Sequence, residues 1–381
     1  MSGAPDDPWS AWLHATVAAT EESRRWRAIQ TLEGIGVRLV LPDGRSVTSF
    51  ASNDYLGLSH HPATVAAAHA ALDRWGCGAG SARLIAGARP VHAALEESLA
   101  TWRATEAAVI APSGYQANLA VLSTFGPGAR IVSDELNHAS IIDGARLARS
   151  EVNVYRHGDV DHAEALVAAA PGRALVVSDT VFSMDGDVAP VLELSQRCAR
   201  HRALLVLDDA HAVFPVPATD PDAHVIRVGT LSKALGAVGG YVAASRAAID
   251  VVVNRARPWI FTTAPAPAST AAALAAVEIC RSPEGHALRA RLRGHVEMVR
   301  PGHPSPIIPI VCGTEATALA AADELAGAGL LVPAIRPPTV PIGMSRLRVA
   351  LSAAHTEEQV TSLVAGLERL LGPAGALRVN P

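Results

Sequence analysis

The chain has 381 residues, 49% hydrophobic and 18% charged, which is enough apolar material for at least one substantial core and too much for a disordered chain. Its formal net charge of −4 comes from acids and bases spread along the sequence, which excludes both the basic stripe of a nucleic-acid binder and the polybasic patch of a membrane-surface protein. Cys77, Cys198, Cys280 and Cys312 form no Cys-x-x-Cys pair, no uninterrupted apolar run spans a bilayer, and the first residues lack a signal pattern, so the expected compartment is the reducing cytoplasm.

In chain order, Gly76, Gly78 and Gly80 imitate a dinucleotide-binding loop, but no strand precedes them. Val91, Leu95, Leu99 and Trp102 recur at helical spacing, and residues 107–111 then read as a strand. The turn Pro112-Ser113-Gly114 opens a helix over 115–124. Further strands are predicted at 130–133, 152–156, 174–178, 203–208, 225–229 and 241–244, mostly separated by helix-like segments. This alternation predicts an α/β chain with a mostly parallel central sheet flanked by helices on both faces. Pro258, Pro265 and Pro267 mark the exit from that domain, and a helix over 268–280 leads into a smaller one. Near the end, Thr356 and Gln359 form a capping-box pattern ahead of the stripe Val360, Leu363, Val364, Leu367, Leu370 and Leu371. The expected division is an N-terminal segment over 1–50, a large domain over 51–265 and a small α/β C-terminal domain over 266–381.

Ligands of an open parallel sheet sit at the carboxyl ends of its strands, so polar residues that follow apolar runs are the candidates for chemistry. Four such ends stand out: Ser113-Gly114-Tyr115, where helix-start amides suit a phosphate; Asn137-His138; Asp208-Asp209-Ala210-His211; and Thr230 with Lys233. Lys233 is also the only lysine, although Lys and Arg together number 32. A chain that uses arginine wherever plain positive charge serves keeps a lysine where a primary amine is needed, because an amine can lose its proton and form an imine whereas a guanidinium cannot. A phosphate site, a carboxylate, two imidazoles and an amine match the needs of a pyridoxal phosphate (PLP) pocket. Asp185-Gly186-Asp187 suggests a metal loop but lacks the spaced oxygen ligands that calcium requires, so no metal is expected.

Five segments resemble, in order, the motifs of the α-oxoamine synthases: Ser52-Asn53-Asp54-Tyr55-Leu56-Gly57-Leu58-Ser59, Gly78-Ala79-Gly80-Ser81-Ala82-Arg83, Val181-Phe182-Ser183-Met184-Asp185-Gly186-Asp187, Asp208-Asp209-Ala210-His211 and Thr230-Leu231-Ser232-Lys233-Ala234-Leu235-Gly236. The resemblance implies a fold-type I, aspartate aminotransferase-like PLP enzyme, a homodimer with shared active sites, that condenses an amino acid with an acyl thioester and releases carbon dioxide. Ile335-Arg336-Pro337-Pro338-Thr339-Val340-Pro341, Ser345-Arg346-Leu347-Arg348 and Ala353-Ala354-His355 are most similar to the branch that joins L-alanine to a pimeloyl thioester in biotin biosynthesis. Ala82 stands where the aminolevulinate-forming branch usually has Thr.

Carried onto this sequence, the resemblance makes Lys233 the residue that binds the cofactor aldehyde and moves the substrate Cα proton. Asp208 would pair with the pyridine nitrogen, His138 would stack on the ring, and Ser183 and His211 would contact its phenolic oxygen. Gly114, Tyr115 and Thr230, with Thr263 from the partner subunit, would hold the phosphate and cofactor. Arg348 would clamp the amino-acid carboxylate, and Asn53, Thr339 and Arg24 would face substrate. The family's Gly-Thr-Gly after the histidine is replaced here by Ala212-Val213-Phe214-Pro215-Val216-Pro217. That departure supports a second reading, the same chemistry with another amino acid or acyl thioester. A third is a binding subunit that has lost catalysis.

Overall fold

The computed structural model describes residues 7–23, 26–215 and 217–372. Seven strands form the central sheet: β4 (Ala107–Ala111), β5 (Arg130–Asp134), β6 (Val152–Tyr155), β7 (Ala174–Asp179), β8 (Leu204–Asp208), β9 (His224–Thr230) and β10 (Gly240–Ala244), numbered after three short N-terminal strands. Their order across the sheet is β4-β10-β9-β8-β7-β5-β6. All neighbours are parallel except β10, which runs antiparallel to both β4 and β9. The inner strands are near-continuous runs of small and β-branched residues because both faces are covered; every residue of β4, β7 and β10 is buried. One covering layer includes the helices Gly114–Phe125 and Ala139–Ala148, whose Ala117, Val121 and Ile141 pack with Val206 and Val228.

The three N-terminal strands are β1 (Glu33–Ile35), β2 (Arg38–Val40) and β3 (Ser46–Ser49). They form an antiparallel ladder that sequence patterning does not predict, because strands of three or four half-exposed residues carry no readable alternation. β3 then pairs in parallel with β12 (Leu330–Leu331), so the two ends of the chain share one sheet. β11 (Ile307–Gly313), β13 (Ala334–Ile335) and β14 (Ser345–Ala350) make a further antiparallel sheet in the order β11-β14-β13. The helix Glu357–Leu371 closes the chain behind its capping box: Gln359 N donates to Thr356 Oγ1 at 3.3 Å, and Thr356 N donates back to Gln359 Oε1 at 2.9 Å. Val360, Leu363 and Leu367 on its inner face are buried.

One cluster of buried side chains joins all these parts. It includes Phe50 and Tyr55 from the N-terminal side, Leu231 and Leu235 beside Lys233, and Ile308, Leu347 and Leu351 from the C-terminal sheet. Val213 enters it and Phe214 packs against it, with the Arg293 guanidinium 3.8 Å over the Phe214 ring. The part of the 212–217 departure that is described is therefore anchored in the core. No helix among the described residues is long and apolar enough to cross a membrane.

Candidate active site

Four neighbouring strands finish on polar residues at one edge of the central sheet: β5 on Asp134, β7 on Asp179, β8 on Asp208 and β9 on Thr230. Asp179 and Asp208 lie opposite each other in the ladder. Both are buried, and that burial raises both carboxyl pKa values. For Asp179 the Asp208 charge pushes the same way, whereas for Asp208 a hydrogen bond from Asn118 and the Lys233 charge oppose it. Asp208 Oδ2 accepts from Asn118 Nδ2 at 2.6 Å and its Oδ1 from Ala210 N at 2.9 Å, which fixes the carboxylate plane. Two buried acids side by side call for a positive partner, and Lys233 is the ammonium within reach of both.

Lys233 is itself largely buried. Desolvation lowers its pKa, and the nearby Arg348 charge lowers it further, against the pull of Asp208 and Asp179. Its Nζ lies 2.8 Å from His211 Nε2. His211 Nδ1 is 2.6 Å from the Tyr55 hydroxyl, which donates to Asn53 Oδ1 at 3.0 Å. A hydroxyl that donates to Asn53 must accept from His211, so the histidine proton sits on Nδ1 and the Nε2 lone pair faces Lys233. Burial together with the Lys233 charge pushes the His211 pKa well below the usual histidine value and keeps the ring neutral. Asn53 Oδ1 also accepts from both terminal nitrogens of Arg348 at 3.2 Å. A continuous polar line thus runs from Lys233 through His211, Tyr55 and Asn53 to Arg348.

His138 is the N-cap of the helix Ala139–Ala148, its Nδ1 2.8 Å from Ser140 Oγ and accepting from Ser140 N at 3.3 Å. Its pKa is lowered chiefly by burial, with Lys233 adding to the effect and Asp208 opposing it. The Tyr115 ring meets it edge-on at 6.1 Å, and the Tyr115 hydroxyl donates to Asp143. Gly114 opens the helix Gly114–Phe125, and the Ser113 cap accepts from Gln116 N. The first amides of a helix lie outside its own hydrogen bonding and favour an anion. A Cβ on Gly114 would stand 3.2 Å from Thr230 Cβ, so glycine is what lets Thr230 close on that helix start. Ser183 reaches the site through its backbone, its carbonyl accepting from Arg348 Nε at 2.6 Å.

These groups fit PLP: an amine of lowered pKa for the aldehyde, a buried carboxylate for the pyridine nitrogen, a flat imidazole, and free amides beside Thr230 for the phosphate. Not every expected residue joins the cluster. Thr263 is exposed and its backbone bridges Ala82 in the same chain. Thr339 is exposed on the segment between β13 and β14, where it lines a cavity of ≈ 860 Å³ together with Ser183, Phe182, Met184 and Val340. Arg24 lies outside the described residues. A second cavity of ≈ 820 Å³ opens near Leu175, Leu204 and Val225 at the opposite strand ends, away from Lys233.

Sequence reasoning missed Asp179, Asn118 and Tyr55. Asp179 follows an apolar run in the same way as Asp208 and was open to the same reasoning. Asn118 lies one helical turn beyond Gly114, on the face that turns toward β8. Tyr55 sits inside a motif quoted for its resemblance, but its partner His211 is 156 positions away.

Comparison with known proteins identifies the family and the fold. The pattern of the family "Aminotransferase class I and II" matches residues 45–367. An 8-amino-7-oxononanoate synthase from Anaeromyxobacter dehalogenans is 44% identical over 97% of this chain and 98% of its own. Another from Alkalilimnicola ehrlichii is 43% identical over 95% and 98%. Among solved structures, a serine palmitoyltransferase from S. paucimobilis with bound PLP and myriocin superposes with a TM-score of 0.88 at 26% identity, covering 96% of this chain and 98% of that one. The 8-amino-7-oxononanoate synthase of Francisella tularensis gives 0.69 at 25% identity, over 85% and 96%. The chain belongs to the class I and II aminotransferase family and, within it, to the PLP-dependent α-oxoamine synthases, whose fold it shares.

Proposed function

We propose that this chain catalyses the decarboxylative condensation of L-alanine with a pimeloyl thioester, of coenzyme A or a carrier protein, giving 8-amino-7-oxononanoate, carbon dioxide and free thiol for biotin biosynthesis. The chemistry rests on one observation above all, the polar line that joins the single lysine to Arg348. It links a proton-moving amine to a carboxylate clamp through direct side-chain contacts. The choice of substrates is supported by 43–46% identity to 8-amino-7-oxononanoate synthases, against 26% to the serine palmitoyltransferase of the same fold.

When bound, PLP supplies an aldehyde for amine condensation and a ring that withdraws the electron pair left at an amino acid's Cα. Lys233 would hold it and, once its amine is free, would take the Cα proton and later return one; burial lowers the amine's pKa and so favours its neutral, proton-accepting form. His211, neutral and fixed by Tyr55, orients that amine. Asp208, its carboxylate fixed by Asn118, would pair with the pyridine nitrogen and favour its protonated form. Arg348 would bind the amino-acid carboxylate and so orient the bond to be broken. The cavity lined by Phe182, Met184, Val340 and Thr339 takes the acyl thioester. The active unit is a homodimer in which Thr263 reaches the partner's cofactor. Exposed Leu84, Ile85 and Phe261 flank the Ala82–Thr263 bridge and favour a contact there.

The test pairs L-alanine, glycine and L-serine with pimeloyl-, acetyl- and palmitoyl-coenzyme A on the PLP-loaded enzyme and follows free thiol. Alanine with pimeloyl-coenzyme A is expected to exceed every other pair in kcat/KM by about tenfold or more, a margin that pocket contacts supply. Preferred turnover of serine with palmitoyl-coenzyme A, or of glycine with acetyl-coenzyme A, would contradict the reading.

A further inference from the structure

His157, in the loop after β6, has no role assigned so far, although it lines the cavity that holds Phe182, and both of its ring nitrogens meet carboxylates. Nδ1 lies 3.0 Å from Asp134 Oδ1 and Nε2 lies 2.8 Å from Asp187 Oδ2. A neutral imidazole would aim a lone pair at one of these anions, so the arrangement requires a ring protonated on both nitrogens. Asp134 is buried and also accepts from Leu136 N at 2.9 Å and Gly158 N at 3.1 Å. The second oxygen of Asp187 is buried without a partner, so the imidazole contact is what holds that carboxylate. The Phe182 ring stands edge-on to the imidazole at 4.4 Å.

The two carboxylates belong to different parts of the site. Asp134 ends β5 and leads directly into Asn137 and His138. Asp187 closes the turn Val181–Val188, stitched by Phe182 N to Asp187 O at 3.0 Å and Gly186 N to Phe182 O at 2.8 Å. That turn carries the Ser183 carbonyl against Arg348 and pairs Asp185 with Arg346 of β14. Other charged groups near the imidazole are already engaged or share its cavity. Glu135 accepts the His157 amide at 2.8 Å, and Arg156 pairs with Asp159 on the same loop. Arg300, His303, Arg346 and Asp185 line the same cavity as His157 and Asp187. His303 Nε2 is engaged with the Ile307 carbonyl at 2.6 Å.

We propose that His157 is a positioning residue that clamps the Val181–Val188 turn to the end of β5 and thereby fixes the Arg348 guanidinium for its amino-acid carboxylate. This rests on the reading of Arg348 as the carboxylate clamp. The clamp acts on binding geometry and leaves the attachment of the cofactor to Lys233 untouched.

The experiment uses PLP-loaded enzyme with His157→Gln and, separately, Asp187→Asn. Titration with L-alanine, glycine and L-serine is followed by the change in the visible cofactor band, which needs no acyl donor. Whichever amino acid binds the parent serves as ligand, so a failure of the alanine reading stays distinct from a failure of the clamp. Each variant is expected to keep the band and to raise the amino-acid Kd about tenfold, the scale of a sub-ångström displacement of a binding group. Leu363→Ala, a core change far from the turn, is expected to lower Tm without moving Kd. Kd within about twofold of the parent in the clamp variants would overturn the proposal. If His157→Gln does not fold, Asp187→Asn decides alone, because it removes the contact from the more exposed side.

Discussion

Tyr55 shows how one hydroxyl organises the polar line between Lys233 and Arg348. It accepts from His211 and donates to Asn53, so Tyr55→Phe strands a buried N–H on one side and frees the Asn53 carbonyl on the other. Leaving a buried donor unpaired costs roughly 1–3 kcal/mol, and that loss is expected in urea unfolding, with a lower kcat as the His211 tautomer loses its fixing partner. An unchanged kcat would show that the tautomer does not matter. Arg348→Lys keeps the charge but loses the two-pronged donor, and KM for the amino acid is expected to rise by about tenfold or more while the cofactor band stays. Lys233, Asp208, His138 and His211 were legible in the sequence because each follows an apolar run or stands out by type. Tyr55 and Asn118, which tune them, were not, since contacts across 156 and 90 positions leave no local pattern.

At the scale of elements, the cofactor end of the site depends on how closely β10 passes the helix start at Gly114. A Cβ on Gly240 would collide with Gly114 N and the Ser113 carbonyl, so Gly240→Ala is expected to displace the phosphate-binding amides. Equilibrium dialysis should show PLP binding weakened by about tenfold or more, in line with a lost charge-assisted contact; unchanged binding would contradict that placement of the phosphate. The loop after β6 makes a second element-level prediction. Two carboxylates raise the His157 pKa to about 10, well above the roughly 6.5 of an unfolded histidine. The folded state therefore holds the proton more tightly. This contribution to stability is complete below about pH 6.5, shrinks as pH rises, and is gone above about pH 10. The Tm gap between parent and His157→Gln should be larger near pH 6 than near pH 9.5. The seven central strands were readable to within a residue or two because doubly covered strands are continuous apolar runs. The edge ladders β1–β3 and the two-residue strands β12 and β13 were not, because pairing with distant backbone defines them.

For the whole molecule, the pairing of β3 with β12 in one sheet, and the core that runs from Phe50 to Leu351, bring Asn53 and Arg348 to the central-sheet groups. The proposed dimer predicts twice the chain mass in sedimentation, and Phe261→Asp, which puts a charge on an exposed apolar position, should shift that mass toward the monomer and weaken cofactor retention. A dimer unaffected by this change would move the interface elsewhere. The most direct measurement is borohydride reduction of the purified enzyme followed by peptide mass mapping. The account predicts a visible absorption band that borohydride abolishes, with a reduced pyridoxyl group on Lys233 and no such band in Lys233→Ala. A colourless protein that remains colourless with added PLP, or a label on any other residue, would contradict it.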